Sequence, residues 1–192
     1  MASILPPAAA DWPSGRRLTR IVVTGSESTG KTTLAQSLAE HFGVPWIPEF
    51  ARDYAEEKGE PLSADDVEPI AAGQIAREDE AFDNIDGLVI LDTDVVSTAV
   101  YAEHYYGAVP EWIERAAQER LADLYLLCDI DLPWVADLVR DAQHQRRHVH
   151  AAFVDRLTKL AAAFRVVSGT AWPDQRLAHA ITQIEEWRRS QH

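Results

Sequence analysis

The residues from Gly25 to Thr32 carry the most specific chemical pattern in the sequence. They read Gly-Ser-Glu-Ser-Thr-Gly-Lys-Thr and satisfy every fixed position of the pattern G-x-x-x-x-G-K-[ST]. Glycines let a backbone wrap closely around oxygen atoms, and successive amides at the start of a helix point towards a bound anion. The pattern therefore predicts a loop that holds the phosphates of ATP.

Two side chains of this loop add to what the backbone supplies. Lys31 is suited to the β- and γ-phosphates, and the Thr32 hydroxyl is suited to Mg²⁺. A turn that merely joins a strand to a helix would explain Gly25 and Gly30, but not the lysine and threonine directly after them. The loop residues expected to bind ATP are Gly25, Glu27, Ser28, Thr29, Gly30, Lys31, Thr32 and Thr33.

A carboxylate follows the apolar run Leu88–Leu91 at Asp92. Ligands of open α/β sheets bind beyond the carboxyl ends of the strands, so we expect Asp92 beside the Mg²⁺ of the phosphate loop. Asp94 has a simpler explanation, because aspartate commonly caps a helix and the segment Val95–Tyr106 has helical character.

A second polar group follows a predicted strand in the segment Trp46–Tyr54. Glu49, Arg52, Asp53 and Tyr54 could hold the hydroxyls of an acceptor. A carboxylate within reach could orient a hydroxyl or take its proton. Ordinary alternatives are a charge at a helix start for Glu49, a surface pair of Arg52 with Asp53, and a core position for Tyr54. We assign catalysis to Glu49 because it stands at the strand tip.

The least regular stretch, Asp131–His150, predicts a mobile helical lid. Its arginines Arg140, Arg146 and Arg147 could neutralise charge on a transferred phosphoryl group and exclude water. A solvated basic patch at a helix start is the alternative. Farther on, Trp172 follows the last predicted strand, where it could contact adenine or fill a hydrophobic gap.

Five short apolar runs alternate with longer helical segments and must position these residues. The predicted strands are Ile21–Thr24, Val44–Ile47, Leu88–Leu91, Tyr125–Cys128 and Phe164–Val167. Such alternation implies a parallel sheet covered by helices on both faces. The predicted fold is an α/β, three-layer P-loop NTPase fold of the nucleoside-kinase type, with a five-stranded parallel sheet and a helical lid.

The 192-residue length suits one domain, which we place at residues 20–192 after a flexible, proline-containing arm at residues 1–19. The formal net charge of −13 disfavours nucleic acid and anionic membrane surfaces as partners. No apolar run is long enough for a membrane span, and Cys128 has no cysteine to pair with. We expect a cytoplasmic protein with a small-molecule substrate, and homo-oligomerisation stays open.

Taken in chain order, five motifs resemble the ribosylnicotinamide kinase domain of NadR-type NAD-biosynthesis proteins. They are GSESTGKTT at residues 25–33, WIPEFARDY at 46–54, IAAGQ at 70–74, LDTD at 91–94 and DIDLPWVADLVRD at 129–141. The resemblance runs from about residue 20 to residue 187. It implies ATP- and Mg²⁺-dependent phosphorylation of the 5′-hydroxyl of nicotinamide riboside to nicotinamide mononucleotide.

The resemblance also implies roles for individual residues. Lys31, Glu49, Asp92 and Arg140 are the expected catalytic residues, with Thr32 and Asp92 on the metal and Arg140 and Trp172 on ATP. The expected substrate-binding residues are Glu49, Arg52, Tyr54, Asp92, Trp134 and Asp137. The motifs leave three alternatives: a kinase for another nucleoside, an ATP-hydrolysing switch, and an ATP-binding regulatory protein.

Overall fold

The computed structural model describes residues 18–132, 145–169 and 174–191. Its strands are β1 (Thr19–Thr24), β2 (Trp46–Ile47), β3 (Leu88–Asp92), β4 (Leu124–Cys128) and β5 (Phe164–Val167). Its helices are α1 (Lys31–Phe42), α2 (Phe50–Lys58), α3 (Val67–Phe82), α4 (Val95–Tyr106), α5 (Glu111–Glu119), α6 (Arg146–Lys159) and α7 (Asp174–Ser190), and a 3₁₀ turn at Ala64–Asp66 precedes α3. None of the helices in these ranges is long and apolar enough to cross a membrane.

The five strands form one parallel sheet in the order β2-β3-β1-β4-β5. Strand β1 lies at the centre, where Val22 pairs with Leu91 of β3 and with Tyr125 of β4. The predicted five-stranded parallel sheet is therefore confirmed. Strand β2 is shorter than predicted because Val44 bonds back to Ala39 at the end of α1, and Pro45 offers only its carbonyl to Ile90.

Helices cover both faces of the sheet, as alternation of strands and helices predicts. On one face Ile21 and Val23 pack with residues of α1 and α7. On the other face Val22 packs with residues of α3, α4, α5 and α6. Successive residues of a strand point to opposite faces, so a central strand buried on both sides reads as a continuous apolar run.

The ends of the strands set the positions of the polar residues. Helix α4 begins where Asp94 accepts hydrogen bonds from the backbone amides of Val96 and Ser97, which confirms the capping role. Thr93, with a φ of 65°, turns the chain between Asp92 and Asp94. This turn lets Asp92 end the strand facing the phosphate loop while Asp94 begins the helix.

Candidate nucleotide and acceptor site

The phosphate loop begins at Gly25, which only a glycine can occupy. Its φ is 135°, and a Cβ at this position would lie 3.0 Å from the carbonyl oxygen of Cys128 at the end of β4. The loop then runs directly into α1 at Lys31. Strand, glycine turn and helix start thus follow one another as the sequence pattern predicts.

Side chains inside the loop hold it in shape. The Lys31 ammonium donates a hydrogen bond to the Ser26 carbonyl at 3.0 Å, and the Thr29 hydroxyl donates to the same carbonyl at 2.7 Å. A cavity of about 380 Å³ lies against the loop. Its lining residues are Glu27, Ser28, Thr29, Gly30, Lys31, Thr32, Thr33, Glu49, Ala51 and Arg52. We call this the nucleotide cavity.

Asp92 lies beside this loop and is 1% exposed. It accepts a hydrogen bond from Thr32, while its Oδ1 atom has no hydrogen-bond partner among the described residues. Burial, followed by the negative charge of Glu49, raises the pKa of Asp92 to about 6. The Asp92 carboxylate is thus buried beside Glu49, and Lys31 and Arg52 are the neighbouring cations.

These oxygen atoms fit Mg²⁺ bound together with a nucleotide. The described residues contain no group of three or more His, Cys, Asp or Glu side chains that could hold a metal by themselves. Mg²⁺ is usually held by one or two protein ligands, substrate phosphates and water, so one hydroxyl and one carboxylate suffice. Thr32 and Asp92 would supply them.

A second cavity, of about 260 Å³, adjoins the first, and we call it the acceptor cavity. Glu49 and Ala51 line both cavities. Helices α3 and α4 supply much of the remaining wall, including Gln74, Ser97, Tyr101 and Tyr105. The two cavities therefore meet at the start of α2.

Glu49 occupies the N-cap position of α2, yet its side chain makes no capping hydrogen bond. The backbone amide of Phe50 is bound instead by Gln74 Oε1 at 2.8 Å. Gln74 belongs to the IAAGQ motif and in turn donates to Glu78 at 2.9 Å. Gln74 thus accepts the hydrogen bond of the first amide of α2, and the Glu49 carboxylate does not cap this helix.

The other residues predicted near the acceptor lie in different surroundings. Arg52 is exposed on the wall of the nucleotide cavity. The Tyr54 hydroxyl donates to Asp66 at 2.9 Å, and Asp53 pairs with Arg77 at 2.7 Å. Four predicted site residues, Trp134, Asp137, Arg140 and Trp172, lie outside the described residues, as does most of the predicted lid.

Sequence reasoning missed the three tyrosines of α4 that line the acceptor cavity, Tyr101, Tyr105 and Tyr106. The first two make hydrogen bonds to the phosphate loop. The Tyr101 hydroxyl donates to the Gly25 carbonyl at 3.1 Å, and the Tyr105 hydroxyl donates to Glu27 Oε1 at 2.7 Å. Their rings stack with centroids 6.1 Å apart. Their spacing of four residues, on the helix that follows Asp92, is the signal that could have found them.

Similarity to known proteins shows the family of the chain. The family model described as AAA domain matches residues 20–176. The trifunctional NAD biosynthesis/regulator protein NadR of Salmonella typhimurium is 31% identical over 126 residues, which cover 62% of this chain and 30% of that protein. NadR of Escherichia coli is 31% identical over 124 residues, with the same coverage. The chain thus matches less than a third of the length of these relatives.

Solved structures of NadR are also similar to this chain. Two similar structures are crystal structures of a NadR protein, one in complex with NR and one in complex with NAD and AMP-PNP. Each has a TM-score of 0.73 and 26% sequence identity to this chain, and the match covers 88% of this chain and 49% of the other. Thymidylate kinase from Ehrlichia chaffeensis shares the fold, with a TM-score of 0.58 at 20% identity over 88% of this chain and 98% of its own. The chain is similar to NadR and has the fold of a P-loop kinase, and it belongs to the AAA domain family.

Proposed function

We propose that the chain is an ATP-dependent kinase that phosphorylates the 5′-hydroxyl of nicotinamide riboside and so forms nicotinamide mononucleotide. The relatives support this choice of acceptor, since NadR is a NAD biosynthesis protein and the similar NadR structure contains NR. The five sequence motifs belong to the same similarity.

The position of Glu49 carries the proposal. It is 9% exposed and lines both the nucleotide cavity and the acceptor cavity. A kinase needs a group at the boundary between its two substrates that can orient the acceptor hydroxyl towards the phosphate. A protein that only binds or hydrolyses ATP has no need of a second cavity at this point.

The charge of the acceptor cavity supports a nucleoside acceptor. Its described lining residues include the Glu49 carboxylate and no lysine, arginine or histidine. A phosphorylated acceptor would meet no positive charge among these residues. A cationic nicotinamide ring would be attracted to the carboxylate and to the faces of the tyrosines.

In the proposed reaction the acceptor hydroxyl oxygen forms a bond to the γ-phosphorus, and the bond from that phosphorus to the bridging oxygen breaks, so that ADP leaves. The Glu49 carboxylate orients the hydroxyl and takes its proton. Lys31 stabilises negative charge on the phosphates. Thr32 and Asp92 would hold Mg²⁺, which would supply further positive charge beside the phosphates.

The test is ADP release from ATP and Mg²⁺ with nicotinamide riboside, cytidine, uridine, thymidine or no acceptor. We expect release that depends on nicotinamide riboside. Release at the same rate without an acceptor would indicate a hydrolysing switch, and no release with any acceptor would indicate a regulatory nucleotide-binding protein. Either result would contradict the proposal.

The variant Glu49→Gln tests the assigned role. It removes the proton acceptor and keeps the size of the side chain, so we expect kcat to fall roughly a hundredfold while the binding of ADP changes little. Glu111→Gln, at an exposed carboxylate at the start of α5, is the matched control and should retain full activity.

A further inference from the structure

Two buried arginines contact consecutive carbonyl groups of the phosphate loop. Arg146, in the first turn of α6, is 7% exposed, and its Nη2 donates to the Ser28 carbonyl at 3.3 Å. Arg176, in the first turn of α7, is 0% exposed, and its Nη1 donates to the Thr29 carbonyl at 3.1 Å. Neither arginine is among the described residues that line the nucleotide cavity.

These contacts constrain the amides of the loop. In a planar trans peptide the carbonyl of one residue and the N–H of the next point in opposite directions. Holding the Ser28 carbonyl therefore fixes the direction of the Thr29 N–H, and holding the Thr29 carbonyl fixes that of the Gly30 N–H. Because neither arginine is among the described residues that line the nucleotide cavity, we expect the two amides to point towards the space that the phosphates would occupy.

Other contacts fix Arg176 in place. Its guanidinium also donates to the Asp129 carbonyl at 3.3 Å and forms an ion pair with Asp131. Asp131 accepts a further hydrogen bond from the Gly169 amide at 2.7 Å. A Cβ at Gly169, whose φ is 152°, would lie 2.8 Å from the Arg176 backbone nitrogen, so glycine allows the start of α7 to come this close.

Arg146 is held in a similar way. Its Nη1 donates to the Leu132 carbonyl at 3.1 Å, so the guanidinium joins the segment after β4 to the phosphate loop. Burial lowers the pKa of Arg146, because removing a charge from water is unfavourable. Both guanidinium groups lie beside one loop, where their charge would favour a bound polyphosphate even though Asp131 pairs with Arg176.

We infer that Arg146 and Arg176 are positioning residues of the nucleotide site: they turn the amides of Thr29 and Gly30 towards the phosphates and add positive charge behind the loop. The affinity for nucleotide phosphates then depends on both side chains. This inference rests on the binding of ATP in the proposed function and does not depend on which acceptor is phosphorylated.

The test is calorimetric titration of the full chain with ADP and Mg²⁺ in the absence of acceptor. Arg146→Gln and Arg176→Lys should each weaken ADP binding roughly tenfold, because neither replacement preserves the charged fork that holds the loop carbonyls. In active variants the KM for ATP should rise while the KM for the nucleoside stays constant. A purely structural role would not produce this split.

Arg156→Gln is the matched control. Arg156 is also on α6 and pairs with Glu103 and Glu114, away from the loop. We expect it to lower the thermal midpoint and leave ADP affinity within twofold of the parent. If Arg176→Lys does not fold, Arg146→Gln decides the matter alone.

Two results would overturn the inference: parental ADP affinity in a folded Arg146→Gln variant, or an equal loss of affinity in Arg156→Gln. Either result in an active nucleoside kinase would remove this inference and leave the proposed function intact. Conversely, tenfold weaker ADP binding in a protein that phosphorylates no nucleoside would remove the proposed function and leave the arginine roles intact.

Discussion

At the scale of single residues, the negative charge of Glu49 acts against the ionisation of Asp92. Burial and the charge of Glu49 raise the pKa of Asp92 to about 6, although Lys31 acts in the opposite direction. A carboxylate whose pKa is raised in the folded state destabilises the fold most above that pKa, and the penalty shrinks as pH falls from about 6 towards the ordinary value of 3.8. A metal ion bound to Asp92 would reduce this destabilisation.

Replacing Asp92 should separate stability from activity. At pH 8, without ligands, we expect Asp92→Asn to raise the free energy of unfolding by on the order of 1 kcal/mol, because it removes a buried charge. This gain should shrink at pH 5, and phosphoryl transfer should be largely lost at both values. Denaturant unfolding at the two pH values and the ADP-release assay measure these effects. A variant with lower stability at pH 8 would contradict this account.

Among the elements, the packing of α2 on α3 decides where Glu49 lies. Gly73 of α3 leaves room for the Phe50 ring, since a Cβ there would lie 2.2 Å from the ring. The Arg77 guanidinium of α3 lies over the Phe50 ring, 4.9 Å from the ring centroid. The Phe50 ring is thereby fixed, and Glu49 precedes it directly in the chain.

Gly73→Ala should displace α2. We expect a loss of roughly 1 to 3 kcal/mol in unfolding free energy, typical of overpacking, together with a lower kcat as Glu49 shifts. The double variant Gly73→Ala, Phe50→Leu should recover part of both losses, because leucine vacates the space that the new methyl group needs. Absence of any effect of Gly73→Ala on kcat would show that α2 does not position Glu49.

Short sequence patterns predicted the helices and strands well, and helix α4 shows why. Asp94 and Gly107 mark the two ends of α4, so its bounds follow from capping. The roles of Arg176 and Gln74 could not be predicted in this way. Each contacts residues far away in the sequence, and an arginine in the first turn of a helix has no local feature that distinguishes a buried guanidinium from a solvated one.

At the scale of the whole molecule, buried acidic groups set the dependence of stability on pH. Glu78 of α3 is buried beside Gln74 and Arg120. Burial, with a further contribution from the charge of Asp94, raises the pKa of Glu78 to about 7 from an ordinary value of 4.5. Between these values the folded state holds a proton that the unfolded chain releases, so this group makes stability fall as pH rises.

Glu78→Gln should weaken this dependence. We expect the variant to gain on the order of 1 kcal/mol relative to the parent between pH 5 and pH 8, measured by denaturant unfolding at both values. Glu80→Gln, at an exposed position of the same helix, is the control and should follow the parent curve. If the unfolding free energy of Glu78→Gln changed with pH as much as that of the parent, the role of Glu78 would be contradicted.

The most direct measurement for the whole account is the mass of the product formed from nicotinamide riboside, ATP and Mg²⁺ by the parent chain and by Glu49→Gln. We predict that the parent forms nicotinamide mononucleotide, one phosphoryl group heavier than the riboside, in a one-to-one ratio with ADP, and that Glu49→Gln forms it roughly a hundredfold more slowly. ADP without a phosphorylated riboside, or equal rates for the two proteins, would contradict the account.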